Sequence, residues 1–296
     1  MAGHEEAGRR DASGGEDVRV QYRLDLSEGP TGFGNPSSTL VGIAVDVETT
    51  GTVFETGAII ELAMRRFRFD ADGVITHIDR RYCWREDPGV PIPPDVVRLT
   101  GLTDDDVRDR RIDDEAALRL LRSASVVVAH NAAFDRPWIE RRLEDAGDLD
   151  WACSMSQIDW RGNGFDGLAL GHLLGQTGWF HEAHRGPADV DAVIQLLRHS
   201  FADGATALSS LRTRSATPSW IVRATGASFD VKELLRERAY RWDPARRVWW
   251  KEIEVGERSA EEFWLAANVY SAGRGARSMG PTFDEMNAAA RFRYGV

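Results

Sequence analysis

The sequence predicts an α/β domain built on a mixed five-stranded sheet, followed by a small C-terminal α+β module. Three observations carry this. Apolar runs over 40–45, 57–69 and 74–84 are joined by short polar turns, the pattern of an antiparallel meander. Downstream, segments of helical periodicity alternate with short Val-rich or Trp-containing runs, which is how an α/β sheet is continued. Beyond residue 219 the chain becomes rich in tryptophan and arginine, marking a separate unit.

Residues 1–37 mix Gly, Ser, Glu, Asp and Arg, and end in Gly-Asn-Pro-Ser; they read as a flexible tail in which 18–26 alternates enough for a short strand. The main domain is expected over 38–202. Its first three strands are followed by Pro91 to Pro94, which stops the sheet, a short helix over 95–99 and the loop Thr100-Gly101-Leu102-Thr103. Ala116, Ala117, Leu120 and Leu121 recur at helical spacing and predict an amphipathic helix over 113–123. The run 125–129 reads as a buried parallel strand ending at His130-Asn131, with a helix over 132–146 in which Pro137 is tolerable only in the first turn. A last strand over 151–155 and helices over 168–174 and 188–201 complete the domain.

The chain has 296 residues, 42% hydrophobic and 28% charged, as expected of a soluble protein of one sizeable domain and one small one. No apolar run approaches the ~20 residues of a bilayer span, and the N-terminus lacks the apolar core of a secretory signal. Cys83 and Cys153 are the only cysteines and have no Cys-x-x-Cys spacing, which excludes a disulfide framework and suits the cytoplasm. A net charge of −10 argues against non-specific wrapping of nucleic acid but not against an enzyme that acts on it, because acids that hold metals present positive charge to a substrate.

The chemistry begins at Asp46-Val47-Glu48-Thr49-Thr50-Gly51. On a strand Asp46 and Glu48 project from one face, where two repelling carboxylates call for a compensating hard cation such as Mg²⁺. Asp135 lies just past the C-terminal end of a predicted strand, where ligands of open α/β sheets collect. His184 precedes Asp189 by five residues, which sets the aspartate in the first turn of the last helix and the histidine on the loop before it. An imidazole with an ordinary pKa of ~6.5 can take a proton from water at neutral pH. Asp191 should face away from Asp189, and His181 lacks the spacing, so both are set aside.

These blocks, in this order, resemble the DEDDh, or DnaQ-like, family of 3′–5′ exonucleases, which includes the proofreading subunit of bacterial replicative polymerase. The matching residues are Asp46 through Gly51, His130-Asn131-Ala132-Ala133-Phe134-Asp135, and His184 through Asp189, with the loop around Thr100-Gly101-Leu102 also similar. Gly186 departs from the family's frequent alanine, a change expected to cost little, and no tyrosine near Asp189 suggests the tyrosine-bearing relatives. The resemblance implies an RNase H-like fold and hydrolysis of phosphodiesters with two Mg²⁺ or Mn²⁺ ions held by Asp46, Glu48, Asp135 and Asp189, His184 acting as general base. It also implies that Thr49, Thr50, Gly51, Leu102, Asn131 and Phe134 meet the 3′-terminal nucleotide. DNA is the expected polymer, in the setting of a polymerase or repair complex; an RNA-trimming enzyme and a catalytically silent nucleic-acid-binding module are the alternatives.

The stretch 203–219 reads as a helix end and linker, and 220–296 as a small module: a strand over 220–223, a basic helix over 229–240, a hairpin over 241–251, a helix over 261–270 and a tail without a clear role. Trp242, Trp249 and Trp264 suit a miniature core, while the interleaved arginines suit a nucleic-acid face.

Overall fold

In the computed structural model, which describes residues 18–37, 40–271 and 280–293, the meander expected from the apolar runs consists of β3 (Leu40–Thr49), β4 (Ile59–Phe69) and β5 (Ile75–Arg85). Two short strands precede it, β1 (Tyr22–Arg23) and β2 (Gly29–Pro30). After the meander come α1 (Pro94–Thr100), α2 (Asp104–Val107) and α3 (Asp114–Arg122), then β6 (Val126–Ala129), α4 (Ala132–Arg142) and β7 (Trp151–Cys153). The domain closes with α5 (Leu170–Gln176), β8 (Trp179–Phe180) and α6 (Gly186–Leu197).

The main sheet runs β2-β5-β4-β3-β6-β7, antiparallel through the meander and parallel from β3 to β7. The five expected strands are thus joined by a sixth, two-residue edge strand, β2, in the RNase H-like arrangement. Both faces are covered. Ala44, Ala63, Phe67 and Phe69 pack with Val190, Val193 and Ile194 of α6, while Ile43, Val45, Leu62 and Met64 pack with Trp138 and Ile139 of α4 and Leu121 of α3. This alternation along β3 is the period of two that a strand imposes. Pro137 lies inside α4 rather than in its first turn, and the helix ends at Arg142, short of the expected 146.

The tail expected over 1–37 needs correction from residue 18 onward; 1–17 lie outside the described residues. Tyr22 and Leu24 donate backbone hydrogen bonds to Gly178 and Phe180, Leu26 is buried in the core, and Thr31 donates to the carbonyl of Thr76. The segment is ordered because β8 and the outer edge of β5 present backbone groups in need of partners.

The linker expected over 203–219 is instead largely helical. Helix α7 (Ala207–Ala216) is capped by Thr206, whose hydroxyl accepts from the Ser209 amide, and it buries Leu208 and Leu211 in the main core. The C-terminal module follows as β9 (Ser219–Arg223), α8 (Lys232–Glu237), β10 (Arg241–Asp243), β11 (Val248–Glu254), α9 (Arg258–Asn268) and β12 (Thr282–Met286). Its antiparallel sheet runs β10-β11-β9-β12, so part of the tail read as having no role supplies an edge strand.

That tail also returns to the main domain. The buried Arg136 guanidinium donates to the carbonyls of Arg291 at 2.6 Å and Ala289 at 2.7 Å, and the Trp151 amide donates to Ala288 at 3.1 Å. Arg291, itself buried, donates to the carbonyls of Ser215 and Thr217. Two buried cations therefore lock the last described residues across both units. Replacing Arg136 with methionine leaves its carbonyl partners unpaired and should cost at least about 2 kcal/mol; an unchanged urea midpoint would show that this seam contributes nothing.

Candidate active site

Asp46 and Glu48 sit on the α6 face of β3, two residues apart, as the strand period requires. Helix α6 begins beneath them and contributes Asp189 from its first turn. Oxygens of Asp46, Glu48 and Asp189 all lie within 4.8 Å of one another, a donor set of hard oxygen ligands suited to a divalent cation. The register between β3 and β4 shifts just past Glu48, which ends the regular ladder where the acids gather.

Asp135 approaches from α4. Strand β6 pairs with β3 only as far as Ala44, leaving the Val47 amide without a ladder partner; the Asp135 carboxylate accepts it at 3.1 Å. Burial, and then the charges of Asp135, Asp189, Glu48 and Glu61, raise Asp46 well above the usual carboxylate range. Burial, with Asp189 and Glu61, pushes Glu48 up from an ordinary 4.5 to about 7, against the opposing charge of Arg185. Asp135 is pushed to about 8, chiefly by burial, despite the hydrogen bond from Val47. The site around Asp46, Glu48 and Asp135 is thus one in which added negative charge is unfavourable and added positive charge is welcome.

The seat of α6 explains how Asp189 reaches the pair. Glu61, directly opposite Glu48 on β4, accepts the Gly186 amide at 3.1 Å and faces Arg85 at 3.5 Å. A Cβ on Gly186 would stand 2.8 Å from the Cβ of Ala63 and 3.0 Å from Glu61 Oε1, so the helix start lies closer to β4 than alanine permits. The departure at Gly186, expected to cost little, is a packing requirement in this chain. Two residues past Asp189, about half a turn round α6, Asp191 points away from the acids, as expected, and pairs with Arg65 at 2.6 Å and Arg81 at 3.2 Å.

The histidines are placed differently from the expectation drawn from spacing. His184 is exposed, with φ 59, while His181, which had been set aside, has Nε2 2.9 Å from Asp189 Oδ1 and a side chain only 3% exposed. The two share one short loop, in which it is His181 that approaches the acids. Glu61 carries only a faint signal in the sequence, a lone acid inside the apolar run 59–64.

The other expected contacts border the site to differing degrees. Thr49 is buried and donates to the Gly51 carbonyl at 2.7 Å; Thr50 accepts the Ala58 amide; Gly51, with φ 153, leaves the turn after β3 without a side chain. Leu102 is almost wholly buried with Ile60, Ile92 and Val96, and its exposed edge lines a cleft of about 640 Å³ together with Glu61, Arg85, His181 and Arg185. Phe134 is half-buried beside Trp138, and Asn131 is exposed at the start of α4 with φ 94.

The RNase_T family model, described as Exonuclease, matches residues 43–197, more than half of the chain. The chain belongs to this exonuclease family. Among curated relatives, the Ribonuclease T of Shewanella baltica is 27% identical over 146 residues, covering 45% of this chain and 65% of that protein, so the match falls short of the relative's full length. The PolC-type DNA polymerase III of Clostridium perfringens is 34% identical over 107 residues, covering 36% of this chain and 7% of the polymerase. Among solved structures, a zinc-bound complex of Escherichia coli ExoI with single-stranded DNA superposes with a TM-score of 0.48 at 16% identity, over 73% of this chain and 63% of that one. Exonuclease X in complex with a 5′ overhanging duplex DNA gives 0.40 at 20% identity, over 57% and 99%.

Two outcomes test the electrostatics and packing of this exonuclease site. Glu48 and Asp135 have raised pKa values in the fold, so their contribution to stability is fully present below about 4 and is lost as pH rises through about 7 and about 8. The metal-free protein should therefore melt at a lower temperature at pH 8 than at pH 5, and Mn²⁺ should raise melting more at pH 8; equal shifts at both pH values would contradict the clustered charges. Gly186→Ala should destabilise the protein by about 1–3 kcal/mol and shrink the Mn²⁺-dependent shift. Wild-type melting with and without Mn²⁺ would refute the close seat of α6.

Proposed function

We propose that the protein is a divalent-metal-dependent 3′–5′ exonuclease that hydrolyses phosphodiester bonds from the 3′ end of nucleic acid. The observation that supports this most is the meeting of the Asp46, Glu48 and Asp189 carboxylates within 4.8 Å at the end of the central strand, with Asp135 held alongside. In this reading Asp46, Glu48, Asp135 and Asp189 hold two Mg²⁺ or Mn²⁺ ions. Bound cations supply Lewis-acid compensation for charge at the scissile phosphate and its attacking water.

The chain's own residues do the remaining work. His184 takes the proton of the attacking water, reaching it by a rearrangement of the exposed loop that carries its strained φ of 59. In that rearrangement His181 gives up Asp189. The turn Thr49-Thr50-Gly51 meets the 3′-terminal nucleotide through its backbone, where the bare Gly51 admits close approach. Phe134 and the exposed edge of Leu102 flank its base, and Asn131 stands at the mouth of the site.

The polymer is read as DNA, in a cytoplasmic replication or repair setting that suits the similarity to a PolC-type polymerase. RNA is the second reading, favoured by relatives named Ribonuclease T. The two differ at the 2′-hydroxyl, and matched 5′-labelled DNA and RNA, single- and double-stranded, separate them.

Asp46→Ala should abolish the ladder of 3′-shortened products from a 5′-labelled oligonucleotide in Mg²⁺ or Mn²⁺; wild-type digestion by this variant would end the nuclease reading. His184→Ala should lower kcat by about 10²–10⁴, with a smaller effect from His181→Ala. The reverse ranking would move the general base to His181.

A further inference from the structure

The C-terminal module sorts its cations into two sets. Arg238 and Lys251 converge on the buried carboxylate of Glu261, 3.1 and 2.8 Å away, which also accepts the hydroxyl of Tyr240 at 3.0 Å. Those charges are satisfied inside the module. Lys232, Arg241 and Arg247 have no ion pair among the described residues, and Arg236 has only an exposed partner, Glu233, of the kind that contributes little to stability.

Aromatic rings accompany this second set. Phe229 is 76% exposed with the Lys232 ammonium 4.1 Å from its ring centre. Arg236 lies one turn further along the same face of α8, and its guanidinium is 5.7 Å from the ring of Trp249. Trp249 stands opposite Trp242 across the β10–β11 pair, their centroids 5.5 Å apart, and Trp242 on the sheet edge is 47% exposed. The miniature core expected of the tryptophans is therefore only part of their role: Trp249 and Trp264 pack against the core, whereas Trp242 is left half in solvent.

The result is a continuous row, Phe229, Lys232, Arg236, Trp249 and Trp242, with exposed rings at both ends and cations between them. We propose that this row binds a single-stranded stretch of the polynucleotide whose 3′ end is processed at the Asp46 site; the proposal rests on the nuclease reading above. Rings at the two ends stack on bases, which is sequence-tolerant because every base has a π-face. Lys232 and Arg236 meet the phosphates between them, releasing counterions as they do so. The chain's net charge of −10 makes a local row of this sign the more informative, since bulk attraction of a polyanion is weak. A duplex, whose bases are stacked on one another, offers nothing to the terminal rings.

The full-length chain carrying Asp46→Asn, which prevents cutting, should bind fluorescent oligo(dT) and oligo(U) better than a matched duplex in an anisotropy titration. Adding Trp242→Ala should weaken single-strand binding by at least about fivefold, Trp242→Phe should retain most of it, and Arg236→Glu should weaken it and flatten its dependence on salt. In the active enzyme, the KM advantage of a long strand over a trinucleotide should shrink by the same factor in Trp242→Ala. Unchanged affinity in both Trp242→Ala and Arg236→Glu, at wild-type melting temperature, overturns the proposal and leaves the row to another class of partner. A wild-type chain that hydrolyses nothing yet binds single strands through Trp242 would keep the surface and remove the nuclease.

Discussion

Mutual repulsion among carboxylates in a partly dehydrated pocket is the constraint on which the rest of this structure depends. Asp46 and Glu48 are fixed by the strand period, Asp189 by the start of α6 and Asp135 by an amide left open where β6 stops. None can retreat into solvent without moving a strand or helix. The cluster is thus held together by the fold against its own electrostatics, and the unfavourable energy is what a cation relieves. A site of this kind is built by the scaffold before any ligand arrives, which is the preorganisation that metal-dependent hydrolysis needs.

Holding α6 in place falls to contacts around the acids. Asp191 forms a buried ion pair with Arg65, supported by Arg81, and so fixes the helix to β4 and β5. Gly186 lets the first turn settle against Ala63, and Glu61 secures its amide. Breaking a buried pair of this kind is far costlier than an exposed one, because a desolvated charge is left behind. The loop of residues 181–185 leads into this seat. It carries two imidazoles, one engaged with Asp189 and one exposed on a residue of positive φ, beside the start of α6.

The C-terminal module is joined to this scaffold through helix α7 and through the return of residues 287–293, not by a loose tether. Buried Arg136 of the main domain satisfies carbonyls of the returning segment, and Arg291, within that segment, satisfies carbonyls of Ser215 and Thr217 at the end of α7. Such a seam ties the small sheet, and the exposed aromatic and cationic row it carries, to the exonuclease domain through hydrogen bonds.

Much of this was legible in the chain. The meander, the β6–α4–β7 succession and the last helix follow from periodicity and turn residues, which are local properties, and two residues apart on a strand means the same face whatever packs against it; the four acids as one set came from the resemblance to the DEDDh family. The pairing of Asp191 away from Asp189 follows from local periodicity as well. What no local pattern carried was which groups become neighbours once strands take their register and helices are seated. Glu61 matters because β4 sets it opposite Glu48; His181 matters because the loop folds back onto Asp189; residues 18–37 and β12 are ordered because edges elsewhere needed partners, and α7 because Leu208 and Leu211 enter the main core. Sequence by itself determined the faces and the order of the acids, whereas the tertiary structure alone decided the distances between them and the histidine beside them, since the acids meet through contacts between segments 88 and 125 residues apart and the loop before α6 folds His181 back onto Asp189.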